Sequence, residues 1–177
     1  MTFAAARLAA SVALLIGLGG GIMAGPAMAG DACDGGIEAS SLETLPTPLV
    51  IAFQDPRNTA RSKIVTASFV DGLRAGGVAV QPDAADVLHL SFLITTADKG
   101  QVRQYSDFSW TTAAGAAAGP PPTLTVTAGL TVKGQPTLIW VASLECKIKT
   151  EDPVVLAKEL GQVIGEVLGK QLDQKTF

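Results

Sequence analysis

The chain reads as an α+β protein: a two-layer sandwich with a mainly antiparallel sheet of five or six strands and two helices on one face. Three observations predict this. Apolar and polar residues alternate from Thr123 to Val132 and again from Leu138 to Lys149, the period of a strand buried on one side. Two segments, each opened by an Asp-Pro pair, repeat apolar residues at helical spacing. The elements run strand, helix, several strands, helix, an order that lets both helices cover one sheet face.

The N-terminus concerns destination. Arg7 is the only charge before an apolar stretch containing Val12, Leu14, Leu15, Ile16 and Leu18, and Ala27-Met28-Ala29 precedes Gly30. This is the pattern of a secretory signal peptide over residues 1–29, cleaved between Ala29 and Gly30. The apolar core falls short of the ~20 residues that span a bilayer, which separates it from an uncleaved anchor. No later run reaches about 18 apolar residues, so the mature chain is expected to have no membrane span.

Taking 29 residues from 177 leaves 148, enough for one domain with a real core. The leader removes Arg7, lowering the basic count from 13 to 12 against 16 acids, a net charge near −4. That balance excludes a general nucleic-acid binder, which needs a positive field. With 47% hydrophobic and 16% charged residues, the composition is that of a folded domain and not of a disordered segment.

Residues 30–46 are small and acidic, with Asp31, Asp34, Glu38 and Glu43, and read as an irregular leader to a single domain over 47–177. The two cysteines are Cys33 and Cys146. An even count in an oxidising compartment favours a Cys33–Cys146 disulfide that ties this leader to the sheet. Two separate buried thiols are the other arrangement. Gly30-Asp31-Ala32 lacks the apolar residue and the small middle residue of a lipidation signal, so Cys33 is not read as an acylated cysteine.

Thr47 to Phe53 reads as a buried strand, and Asp55-Pro56 as a helix start, because Asp accepts a free backbone N–H and Pro fits the first turn. Val65, Phe69 and Leu73, with Ile64 beside them, form that helix's apolar stripe, stopped at Gly76-Gly77. A short strand at 78–80 follows. In the strand from Asp86 to Thr96, Leu88, Leu90, Phe92 and Ile94 face one way and His89, Ser91 and Thr95 the other. Asp98-Lys99-Gly100 turns into a strand over 101–111, and the glycines and prolines of 113–122 make a loop.

The long hairpin then places Leu124, Val126, Ala128, Leu130, Val132, Leu138, Trp140, Ala142, Leu144, Cys146 and Ile148 inward. Its outer face is rich in threonine, broken by Ile139 and Val141, so part of it is expected to be covered. Asp152-Pro153 opens the last helix, whose stripe is Leu156, Leu160, Val163 and Val167. Lys158, Glu159, Gln162, Glu166 and Lys170 take the opposite side, with Glu166 and Lys170 spaced to pair.

Few residues point to chemistry. His89 is the only histidine, and Asp86, three positions away on the same strand, falls on the opposite face. One His and two Cys without clustered spacing predict no metal site, no motif predicts a cofactor, and no catalytic residue is assigned. Gly161, Gly165 and Gly169 recur every four residues, although each costs ~1 kcal/mol relative to Ala inside a helix. Small residues on one ridge let another backbone approach: the protein's own sheet, or a partner helix in a homo-oligomer.

The order "VIAFQDP", helix, "GVAVQPDAADVLHLSFLIT", threonine-rich hairpin with "LIWVASLECKI" and terminal amphipathic helix resembles a group of bacterial envelope accessory domains. They include the N-terminal domain of the Tol-Pal propeller protein, the curli-secretion lipoprotein, the lipoprotein activators of penicillin-binding proteins and related domains of unknown function. The resemblance is one of layout and covers most of 47–170. It implies an exported, non-enzymatic periplasmic domain that works by binding another envelope component. The alternative is a periplasmic hydrolase whose scattered site includes His89. A deep pocket joining His89 to a carboxylate would favour the enzyme, and a shallow apolar surface the binder.

Overall fold

The computed structural model describes residues 32–45, 49–53, 60–98, 101–105 and 121–177. The signal segment with the Ala29–Gly30 junction, the Asp55-Pro56 helix start and residues 106–120 lie outside the described residues.

The fold is α+β, with two helices and one mixed sheet among the described residues. The strands are β1 (Cys33–Ser41), β2 (Val50–Phe53), β3 (Ala79–Val80), β4 (Asp86–Asp98), β5 (Gln101–Tyr105), β6 (Thr123–Val132), β7 (Leu138–Ile148) and β8 (Leu172–Thr176). The helices are α1 (Ala60–Ala75), between β2 and β3, and α2 (Pro153–Val167), between β7 and β8. The sheet order is β3-β2-β4-β6-β7-β1-β8, and β5 pairs with the far end of β4. Eight strands among the described residues therefore replace the expected five or six. The two additions, β1 and β8, come from segments that carry little apolar signal.

The segment read as an irregular leader is in fact an interior strand. β1 pairs with β7 over its whole length, from Cys33 opposite Ile148 to Ser41 opposite Trp140. It does alternate, but only one inward side chain is large: Cys33, Ile37 and Ala39 are buried, while Asp34 and Glu38 are exposed. Gly35 interrupts the inward row. A Cβ there would sit 2.4 Å from the Cβ of Cys146, so only glycine fits.

β8 is held by backbone pairing to β1. Phe177 continues the ladder, exchanging N–H···O bonds of 3.2 Å with Gly35 in both directions. Between Ile37 and Ala39 the register shifts, so Asp173 and Gln174 stand opposite Glu38 alone. Such a bulge blunts an edge strand against further pairing.

β2 runs parallel to both β3 and β4, which makes the sheet mixed. Parallel neighbours need a crossover, and α1 supplies the one from β2 to β3. The inward row of the long hairpin is buried as expected from Leu124 to Leu130 and from Trp140 to Ile148. Leu138 is the exception, at 42% exposed, while Ile139 is buried. Leu130 pairs with Trp140 but Thr131 with Leu138, so Ile139 is an extra residue that flips its neighbour to the other face. The flipped Leu138 lies over Gly129, where a Cβ would meet its Cδ2 at 2.6 Å. Ile139 also explains the break in the polar face, since its carbonyl accepts N–H bonds from Leu42 and Glu43 beyond β1.

Val65, Phe69 and Leu73 of α1 are buried as the stripe predicts, and Phe53 and Phe69 have ring centroids 4.9 Å apart. Ile64 is not part of it and is 60% exposed. On α2, Asp152 caps the N-terminus by accepting the Val154 N–H at 2.8 Å, with Pro153 in the first turn. Leu156, Leu160, Val163, Ile164 and Val167 are buried toward the core.

Candidate functional site

Cys33 and Cys146 form a disulfide, with α-carbons 5.7 Å apart. They are diagonal neighbours, since Cys33 pairs with Ile148 and Cys146 with Gly35. Both are buried. The bond thus joins adjacent strands inside the core, and does not merely fasten a loose tail to the sheet.

Directly before it, the Glu159 carboxylate accepts two backbone N–H groups. Oε2 takes that of Ala32 at 2.8 Å and Oε1 that of Cys33 at 3.0 Å. An ionised oxygen on a backbone donor makes a strong hydrogen bond. Helical spacing had placed Glu159 on the solvent side. No sequence signal marked this clamp, because its partners lie 126 and 127 residues away.

The glycine ridge faces neither the sheet nor a partner helix. A Cβ on Gly161 would lie 2.1 Å from the Phe69 carbonyl oxygen, and one on Gly165 would lie 2.7 Å from that of Leu73. α1 reciprocates: Cβ atoms on Gly72 and Gly76 would lie 2.0 and 2.5 Å from the carbonyl oxygens of Lys158 and Gln162. Residues advance together along both helices, beginning with the Ser68 hydroxyl on the Val154 carbonyl at 2.8 Å, so the helices run side by side in one direction. The four-residue spacing of Gly72 and Gly76, matched to that of Gly161 and Gly165, was the available signal. Gly169 has a separate role. Its φ of +78° makes it the left-handed residue that ends α2.

His89 lies on the exposed sheet face, where its Nε2 is 2.9 Å from the Thr131 hydroxyl oxygen. That partner is a hydroxyl and not the carboxylate an activated histidine would use. Among the described residues, no group of three or more His, Cys, Asp or Glu side chains is placed to hold a metal ion. No helix among them is long and apolar enough to cross a membrane.

An open groove of about 680 Å³ lies where the chain leaving β1 meets the end of α2. Leu42, Glu43, Leu45, Leu49, Leu168 and Lys170 are among its lining residues, and Leu42 is 56% exposed. Gly169 shapes it, since Leu45 approaches to within 3.1 Å of where its Cβ would be. The walls are fixed by polar contacts. Trp140 Nε1 donates to the Lys170 carbonyl at 3.2 Å, and the Ser41 N–H donates to the Gln171 side chain at 3.1 Å. Lys170 does not form the expected side-chain pair with Glu166; its ammonium donates to the Glu166 backbone carbonyl. The carboxylate of Glu166 instead pairs with Lys175 on β8 and accepts from Gln162. Partial burial works to raise the Glu166 pKa. The hydrogen bonds from Lys175 and Gln162 and the charges of Lys175 and Lys170 outweigh it and hold the carboxyl below its ordinary value.

No family model and no curated protein matches the chain. Among solved structures it is similar to a variant PelC dodecamer from Paraburkholderia phytofirmans, at 18% identity and a TM-score of 0.42, over 76% of this chain and 98% of that one. A second PelC dodecamer from the same organism is similar at 17% identity and a TM-score of 0.43, over 77% and 99%. A PDZ domain protein from Parabacteroides distasonis is similar at 8% identity and a TM-score of 0.41, over 82% of this chain and 39% of that one. At these values the likenesses assign no function.

Proposed function

We propose that the protein is an exported, non-enzymatic accessory domain that acts in the periplasm by binding another component of the cell envelope. The observation that carries this reading is the groove beside Leu42. It is open, and its lining mixes Leu42, Leu45, Leu49 and Leu168 with Ser41, Thr44 and the oppositely charged Glu43 and Lys170. An open surface depression of mixed apolar and polar lining matches the make-up of non-obligate protein interfaces. The buried Cys33–Cys146 disulfide supports an oxidising compartment, in line with the signal-like residues 1–29. The resemblance in element order to envelope accessory domains, read from the sequence, points the same way.

A photo-crosslinking residue at position 42 in the exporting cell tests the proposal. One discrete adduct with an envelope component is expected, lost when the half-buried Leu45 is replaced by Arg and kept in His89→Ala. If position 42 yields no adduct and Leu45→Arg leaves the phenotype of the intact cell unchanged, the groove is not the contact site.

A further inference from the structure

We propose that β1 is an exchangeable strand. A second copy of this chain can supply it, and the Cys33–Cys146 disulfide is what keeps it in its own sheet. β1 is the first described strand, yet it occupies an interior position between β7 and β8. Among the described residues no element precedes β1, so withdrawing it unthreads none of the other described strands or helices. The slot it leaves fits only a strand with its pattern: small residues opposite Cys146 and Ala142, and an apolar one opposite Leu144. A second copy carries that pattern by identity, which is why exchange of an identical element is a low-cost route to a dimer.

The noncovalent hold on β1 is uneven. Ile37 is its only large buried side chain; the other inward positions are Cys33, Gly35 and Ala39. Pairing with β7 is continuous, but pairing with β8 is interrupted by the bulge between Ile37 and Ala39. Against this, the disulfide closes a sequence separation of 113 residues and crosses directly from β1 to β7. It forbids exchange while intact. Once it is absent, what holds β1 in its own chain holds it equally in another, and concentration decides.

Two single-cysteine chains, Cys33→Ala and Cys146→Ala, test this. They are mixed, unfolded together in guanidinium, refolded at high concentration and treated with oxidised glutathione. That reagent takes up the electrons of the two thiols as they join and leaves as two reduced glutathiones. Exchange puts Cys33 of one chain beside Cys146 of the other. The expected product is a covalent heterodimer with a single 33–146 link, found by peptide mapping and absent when either chain is refolded alone. A second measurement uses the native sequence, refolded in dithiothreitol at the same concentration and then reoxidised. Peptide mapping and light scattering should show a dimer linked 33–146 between chains, a species absent from the never-reduced protein at that concentration. Folded monomers with free thiols in the first experiment, like-with-like links only, or recovery of the native sequence solely as monomer or aggregate would each overturn the proposal.

Discussion

Glu159 and Cys33 are joined by a carboxylate-to-amide hydrogen bond of 3.0 Å that links the second turn of α2 to the first residue of β1. The same carboxylate holds Ala32, and the Ala32 carbonyl accepts the Lys149 N–H at 2.8 Å. The start of β1 is thus gripped from the helix layer and from the sheet. Replacing Glu159 by Ala should cost about 1–3 kcal/mol, because two buried backbone donors lose a charged acceptor. Amide exchange should rise first at Ala32 and Cys33. Unchanged exchange there would mean that water replaces the carboxylate without penalty.

Gly161→Ala should destabilise the fold, although the same change in an ordinary helix interior would favour it by roughly 0.5–1 kcal/mol. The added methyl would lie 2.1 Å from the Phe69 carbonyl oxygen, which belongs to backbone and cannot swing aside. Overpacking of this kind costs typically 1–3 kcal/mol, so the net change should be a loss. Gly72→Ala should behave alike, while Gly36→Ala, whose Cβ has no neighbour closer than 3.5 Å, should be tolerated in urea unfolding.

Removing the disulfide by Cys33→Ala with Cys146→Ala should lower stability by up to about 4.7 kcal/mol, the chain-entropy figure for a loop near 100 residues. Loosening should extend past β1 to β8, because β8 pairs with β1 alone among the described strands. Hydrogen exchange at Leu172–Thr176 should therefore rise with that at Cys33–Ser41. Thiol titration of the exported protein under denaturing, non-reducing conditions should find no free thiol.

Glu166 gives the acid limb of the stability curve a defined sign. Its carboxyl is held below the ordinary value in the folded state by Lys175, Gln162 and Lys170, against the opposing effect of burial. The contribution is fully present above the unfolded-state pKa and is lost as pH falls through the folded one. Its side chain is 37% exposed, so solvent screening keeps the effect small. Glu166→Gln should lower the melting temperature slightly at neutral pH and converge on the parent in acid. A carboxyl NMR titration that placed Glu166 above the ordinary value would contradict this.

Intact-mass measurement on exported protein should return a chain beginning at Gly30, less two hydrogens for the disulfide and with no acyl mass on Cys33. A mass that retains residues 1–29 would remove the export argument from the proposed function.

The sequence by itself determined the elements that bury large apolar side chains at a regular period. Leu124 to Leu130, Leu144 to Ile148 and the Leu156–Val167 stripe each declare their inward face, and Asp152-Pro153 declares where α2 begins, because these signals are local. The cysteine count pointed to the 33–146 pair for a different reason: two cysteines in an oxidising compartment allow only one pairing. Only the tertiary structure decided the rest. β1 and β8 are strands because of the neighbours that supply their hydrogen bonds, and nothing in CDGGIEASS or LDQKT announces those neighbours. Leu138 turned outward because one extra residue entered the ladder across from Leu130 and Thr131. The partner of the α2 glycines was α1, although Gly72 and Gly76 showed the matching spacing, because spacing names a close approach but not what approaches. Glu159 found the Ala32 and Cys33 amides only once the chain had closed on itself. Period and composition act over a few residues, whereas register, bulges and long-range acceptors depend on which segments the folded chain brings side by side.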